Sequence, residues 1–186
     1  MGLDRDKLKS DIQRLYADEH AALGREGALR LLDQGRKWDL ASTLHAGGVL
    51  VFPHAGVADC GHQTAAVVHA CLDSEVDRVL VISVLHALTD ELEEARVRVA
   101  RGSDPEAEPL RGIQGPGLPG RQDWKRDHVL TSFRYLWRAE TERRGIQGPV
   151  VIERYPYLAG GRPDTLPGID ELEELLVAGW PVTIGL

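Results

Sequence analysis

Two kinds of hydrophobic pattern alternate along this chain, and together they predict an α/β protein. Val49–Phe52 is an unbroken apolar run and Val76–Leu85 is a mostly apolar run, both rich in β-branched residues, as is typical of strands covered on both faces of a sheet. Between them, Gln63–Leu72 carries apolar residues at helical spacing. Strand, helix and strand in this order predict a parallel βαβ unit.

The remaining elements extend this pattern in both directions. Further strands are predicted at Pro149–Glu153 and Trp180–Ile184, and further helices at Leu3–Gly24, Glu26–Gln34, Leu88–Ala100, Asp123–Arg144 and Pro167–Ala178. We therefore expect an N-terminal helical segment over residues 1–46 and an α/β domain over 47–186. That domain is predicted to be a three-layer sandwich with a mostly parallel sheet of at least four strands.

Residues 102–122 are rich in glycine and proline. A segment of this length without a periodic pattern is uncommon inside a compact domain. It is predicted to be a flexible loop, which could be either a flap over a site or a plain linker.

Composition narrows the classes of function. A chain of 186 residues that is 42% hydrophobic and 27% charged suits one soluble globular domain. The net charge of −7 argues against a nucleic-acid surface, which needs clustered Lys and Arg. No apolar run is long enough to span a membrane and no signal peptide opens the chain. Two cysteines give no disulfide framework, so a cytoplasmic location is expected.

A histidine follows each of the first two strands. His54 comes after Val49–Phe52 and Pro53, and His86 directly follows Val76–Leu85. In open α/β sheets, ligands bind beyond the carboxyl ends of the strands. A single histidine there is usually a solvated loop residue, but two of them at the same sheet edge favour a shared metal or catalytic role.

The residues around His54 resemble a known family. The stretch Pro53-His54-Ala55-Gly56, then Cys60-Gly61, then an apolar strand ending in histidine, is similar to the Memo family, relatives of the class III extradiol dioxygenases. The resemblance implies that His54 and His86 bind a metal, and that the chain has the N-terminal part of that fold. The sequence departs from the family at Ser83-Val84-Leu85, where glycine, proline and serine are usual, and at Ala87, where a second histidine is usual.

The resemblance also implies further pocket residues. Asp127-His128 is the nearest match to a Glu-His pair that lines the family's pocket, so His128 is a candidate acid or base and Asp127 a candidate substrate-binding residue. Asp59 and Cys60, shortly after His54, are further candidates for contact with substrate. For His128 the alternative is a surface histidine beside a carboxylate, and for Cys60 it is a buried thiol.

Two histidines alone would hold a metal weakly, because catalytic sites usually have three protein ligands. The family's relatives continue past the last strand to a cysteine that completes the metal shell, and this sequence does not contain it. A second chain, making a heteromer, or a missing segment is the favoured explanation. A substitute ligand within the chain, from among Asp59, His62 and His128, is the other.

The sequence leaves three classes of function open. The leading hypothesis is a non-haem Fe(II) oxygenase acting on a small aromatic or chelating substrate, with His54 and His86 on the iron. The second is a Zn(II) hydrolase that uses the same site. The third is a non-catalytic module that binds a metal or a partner.

Overall fold

The computed structural model describes residues 4–86, 89–157, 160–178 and 182–185, and these form an α/β fold. The strands are β1 (Val49–Phe52), β2 (Arg78–Ser83), β3 (Gly112–Gln114), β4 (Val150–Tyr157) and β5 (Val182–Gly185). The helices are α1 (Arg5–Gly35), α2 (Ala41–His45), α3 (Val57–Asp73), α4 (Asp90–Ala100), α5 (Thr131–Arg144) and α6 (Ile169–Val177). Short 3₁₀ turns span Pro105–Ala107, Asp123–Arg126 and Pro163–Thr165.

The five strands form one mixed sheet in the order β1-β5-β2-β4-β3. All pairings are parallel except that of β3, which runs antiparallel to β4. The predicted α/β fold with a mostly parallel sheet of at least four strands is therefore confirmed.

Helices cover both faces of the sheet. On one face α1, α3 and α5 pack against each other, and this main core holds Phe52, Val81 and Tyr155 from the strands. On the other face α6 contributes Leu172 to a smaller core with Leu80 and Val182. Alternate residues of a strand point to opposite faces, which is why the neighbours Leu80 and Val81 enter different cores.

The two strands that precede the histidines, β1 and β2, are not neighbours in the sheet. A simple βαβ unit would have placed them side by side. β5 lies between β1 and β2, paired with both. It ends at Gly185, level with Phe52 and Ser83. Both histidines therefore lie beyond the last paired residue of β5, and they can approach each other past its end.

The N-terminal helix bends where the sequence predicts a break. Asp4 caps α1 by accepting a hydrogen bond from the Lys7 N–H, and Gly24 adopts a non-helical conformation inside it with φ of 55°. A positive φ favours glycine. The Tyr135 hydroxyl donates to the Gly24 carbonyl at 2.7 Å, so α5 supports the bend.

The prediction of one continuous helix over Asp123–Arg144 is wrong. A 3₁₀ turn at Asp123–Arg126 is followed by extended backbone at Asp127, and α5 begins only at Thr131. The cause is local, because the Asp127 side chain accepts the Val129 N–H at 2.9 Å. Such side-chain-to-backbone bonds compete with helix formation.

The segment predicted as a flexible loop, residues 102–122, contains the first 3₁₀ turn and strand β3. Arg111 within it is buried and donates to the Arg162 carbonyl at 2.8 Å and to Thr165 Oγ1 at 2.9 Å. These bonds attach the segment to the turn after β4. Its mobility stays a prediction.

Some predicted element starts, at Leu3, Leu88 and Trp180, lie outside the described residues, as does Ala87. Within the described ranges, no helix has the length and apolar character needed to cross a bilayer.

Replacing Gly35 with alanine is expected to destabilise the fold by about 1–3 kcal/mol through overpacking. A Cβ at Gly35 would come within 2.7 Å of the Ala65 Cβ and of the Ala66 backbone nitrogen, so α1 and α3 would have to separate. Urea unfolding measures the change. Gln34→Ala, at the exposed neighbouring position, is the control and should stay within about 0.5 kcal/mol of the unaltered protein. Equal stability of the two variants would contradict the close approach.

Candidate functional site

Three histidines meet at the carboxyl edge of the sheet. The ring centroids of His54 and His86 are 4.7 Å apart, and His128 lies 6.0 Å from His54 and 5.6 Å from His86. His54 follows β1, His86 follows β2, and His128 comes from the link before α5. The structure therefore brings together the two histidines predicted to share a metal and the one predicted to act as acid or base.

The ring nitrogens of the first two histidines differ in their partners. His86 Nδ1 lies 3.2 Å from the Val84 carbonyl. Because a carbonyl only accepts hydrogen bonds, in the neutral ring this contact places the proton on Nδ1 and leaves the lone pair on Nε2. His54 Nδ1 is buried and has no hydrogen-bond partner. Buried polar atoms are nearly always paired, so this nitrogen needs an explanation.

Asp127 joins the backbones of two of the histidines. Its carboxylate is buried, and Oδ2 accepts the His86 N–H at 2.5 Å while Oδ1 accepts the Val129 N–H at 2.9 Å. These bonds fix the strand end at His86 relative to the turn that carries His128. Both oxygens thus hold backbone groups; the predicted contact with substrate stays a prediction.

Burial lowers the pKa of His128, and the nearby imidazoles of His86 and His54 act in the same direction against the opposing charge of Asp127. His128 is therefore a neutral ring near neutral pH. Since a neutral imidazole has one donor and one acceptor nitrogen, it can exchange a proton with a bound group.

The other predicted residues lie near the start of α3. Asp59 is exposed in its first turn. Cys60 is half-buried, and its thiol donates to the Gly56 carbonyl at 3.3 Å. Burial raises the pKa of Cys60, so it stays a thiol near neutral pH. His62 stacks on Trp38 at 5.5 Å between ring centroids.

The separation of the His54 and His86 rings is compatible with one shared ion. Two imidazoles on one ion with metal–nitrogen distances of about 2.0–2.1 Å place their ring centroids roughly 4.5–5.2 Å apart, and the His54–His86 separation of 4.7 Å falls within this range. Across the described ranges, no group of three or more His, Cys, Asp or Glu side chains is arranged to hold a metal ion. The site is thus a two-histidine pair with a third imidazole beside it.

Sequence reasoning missed two residues of α1 that support this site. The Tyr16 hydroxyl donates to the His54 carbonyl at 2.7 Å. The Glu19 carboxylate accepts the N–H groups of Val57 and Ala58 at 3.0 and 2.9 Å. These contacts join residues that are far apart in sequence, and the helical pattern of α1 gives no signal for either of them.

Comparisons of this chain with models of protein families, with curated proteins and with solved structures found no match in any of the three. The resemblance to the Memo family therefore stays a prediction. What the fold and the site define is an α/β protein with three histidines at the carboxyl edge of its sheet.

Proposed function

We propose that this chain is a metal-dependent enzyme of the extradiol-dioxygenase-like class, with Fe(II) held by His54 and His86 and a small aromatic or chelating substrate. The observation that carries the proposal is the approach of these two imidazoles to 4.7 Å at the edge of the sheet where α/β proteins bind ligands. The mostly parallel sheet with helices on both faces is compatible with the N-terminal part of that family's fold.

Each residue of the site has a role in this proposal. Fe(II) would supply one-electron chemistry and open coordination positions for O₂ and substrate. His86 offers Nε2 to the ion because its Nδ1–H is directed at the Val84 carbonyl, and the unpaired Nδ1 of His54 gives that ring a nitrogen free to bind. His86 is exposed, so a small molecule can reach the pair from solvent.

His128 is the proton-transfer group of the proposal. Its ring lies beside both histidines of the pair without forming a three-ligand set with them. From there it can hold or move a proton at a substrate oxygen. Asp127 keeps this geometry by tying the turn of His128 to the backbone of His86.

A second chain or a further segment that supplies the third ligand remains part of the proposal. The absence of a three-ligand group among the described residues supports it. So does β1, which is an outer strand of the sheet and exposes Val49 and Val51 on one face. Outer strands and exposed apolar side chains are common features of interfaces.

A Zn(II) hydrolase on the same two histidines is the second candidate, because a neutral imidazole nitrogen such as His86 Nε2 suits Zn(II) as well as it suits Fe(II). It would need a further ligand, as the iron site would, since catalytic zinc usually has three from the protein. Zn(II) would supply a bound water with a pKa lowered to about 7. His128 could then accept a proton from that water.

Metal analysis of protein purified without tags or chelators tests the proposal, followed by oxygen-electrode measurements with catechol-like and aminophenol-like substrates. The expected result is bound iron and substrate-dependent oxygen uptake. Zinc without oxygen uptake would favour the hydrolase. Protein that contains no metal, and takes up none when Fe(II), Co(II) or Zn(II) is added, would overturn both.

A further inference from the structure

We infer that Tyr16 of α1 is a positioning residue of the metal site, acting through the backbone of His54. This inference rests on the proposed function, because it assigns Tyr16 a role toward the metal held by His54 and His86. The sequence predicts an N-terminal helical segment and assigns it no role in the site. The contacts of Tyr16 and Glu19 instead connect α1 directly to the turn that carries His54.

The Tyr16 side chain contacts two of the three histidines. Its hydroxyl donates to the His54 carbonyl at 2.7 Å, and its ring centroid lies 5.5 Å from that of His128. Only 8% of Tyr16 is exposed, so the bond is shielded from competing water. A shielded hydrogen bond to the peptide of His54 restricts the rotation of the backbone from which the imidazole projects.

Glu19, one turn further along α1, holds the other end of the same turn. Its carboxylate caps α3 through the N–H groups of Val57 and Ala58. A Cβ at Gly56 would come within 2.8 Å of Glu19 Oε1, which shows how closely α1 lies on this turn. Residues 54–58 are therefore fixed by α1 at their start and at their end, and the first of them is a proposed metal ligand.

Among the described residues no hydrogen bond is made to the ring of His54, and its Nδ1 is buried. In many metal sites a hydrogen bond from the ring orients the ligand, and loss of such an outer partner lowers metal affinity about 10- to 100-fold. Here the orientation comes from the backbone through Tyr16. We therefore expect an effect near the lower end of that range.

The test compares Tyr16→Phe with Tyr135→Phe. Each variant removes one tyrosine hydroxyl that donates to a backbone carbonyl at 2.7 Å, in one case that of His54 and in the other that of Gly24. Both bonds connect α1 to the rest of the fold, so a loss of thermal stability is expected in both variants. Only Tyr16→Phe removes a contact with a proposed ligand.

Two measurements are made on the full chain. Titration of metal-free protein with Co(II) is expected to show affinity lowered about tenfold in Tyr16→Phe, with a shifted visible spectrum of the bound ion, and affinity within about twofold of the unaltered protein in Tyr135→Phe. Nuclear magnetic resonance of the histidine rings without metal is expected to show shifted His54 signals in Tyr16→Phe alone.

The outcomes separate this inference from the proposed function. If the unaltered protein takes up no Co(II), the proposed function is overturned. The role of Tyr16 at a metal site is then overturned as well, even if the ring signals show that Tyr16 orients His54. If the unaltered protein binds Co(II) but Tyr16→Phe matches Tyr135→Phe in affinity, spectrum and ring signals, the proposed function survives and the role of Tyr16 is overturned.

Discussion

Replacing His86 with alanine is expected to weaken the binding of Co(II) or Zn(II) at least about 100-fold. Disturbing an outer partner of a ligand already costs about 10- to 100-fold, and this change removes one of the two ligands themselves. His86 is exposed and contributes no side chain to the cores, so the variant should fold. Calorimetric titration of the metal-free protein measures the affinity.

His62→Ala is the matched control for this experiment. His62 was a candidate substitute ligand, but in the fold it stacks on Trp38 and has no ring contact with the three-histidine cluster among those described. Loss of this side chain should leave the metal affinity within about twofold of that of the unaltered protein. Equal loss of affinity in His86→Ala and His62→Ala, or none in either, would contradict the assignment of the site.

His128→Ala separates the two roles open to the third imidazole. If His128 only moves protons, the variant should bind metal with nearly unchanged affinity and lose turnover by about 10²- to 10⁴-fold, the usual contribution of a general acid or base. If His128 rotates to become a ligand, the metal affinity of His128→Ala should fall as far as that of His86→Ala. The structure favours the first result, because the described residues contain no three-ligand group.

The parts of this fold that follow from local patterns could be predicted from the sequence. Val49–Phe52 and the run that contains β2 are short, mostly apolar and β-branched, which is the pattern of buried strands. The position of His54 and His86 just past their strands then predicts the edge at which they lie. The distance between them could not be predicted, because β5 lies between their strands and strand order depends on the whole chain.

Contacts between distant segments explain what the sequence did not reveal. Asp127 also accepts a hydrogen bond from the backbone of His86, a residue on another element, and nothing in the local pattern predicts this contact. Tyr16 supports His54 from a helix whose own pattern specifies only an amphipathic face. In both cases the local sequence does not specify the distant partner, and only the tertiary fold brings the two groups together.

Replacing Glu140 with alanine is expected to destabilise the fold by about 2–4 kcal/mol. Glu140 is fully buried, and its carboxylate lies 2.7 Å from Arg144 Nε, 2.7 Å from Arg143 Nε and 3.2 Å from Arg36 Nη2. Removing one partner of a buried ion pair costs about 3–5 kcal/mol, and the estimate is lower here because the three arginines also reach solvent. Urea unfolding measures the loss.

Glu142→Ala is the control, since Glu142 is exposed on the same helix and its loss should change stability by no more than about 0.5 kcal/mol. If both alanine variants were equally stable, the contacts of Glu140 with the three arginines would contribute nothing to the stability of the fold.

The contacts of Glu140 also predict how the stability difference between the unaltered protein and a Glu140 variant depends on pH. Burial by itself would raise the pKa of Glu140, but the hydrogen bonds from Arg143 and Arg144 outweigh it and hold that pKa below the ordinary 4.5. A carboxylate whose pKa is lower in the folded state stabilises the fold fully above its unfolded-state pKa and loses this contribution as the pH falls through the folded-state value. Unfolding of the unaltered protein and of Glu140→Gln should therefore differ most above pH 4.5 and converge on acidification. A difference that stayed constant, or grew, as the pH fell would show that the charge of Glu140 is not the source of its contribution.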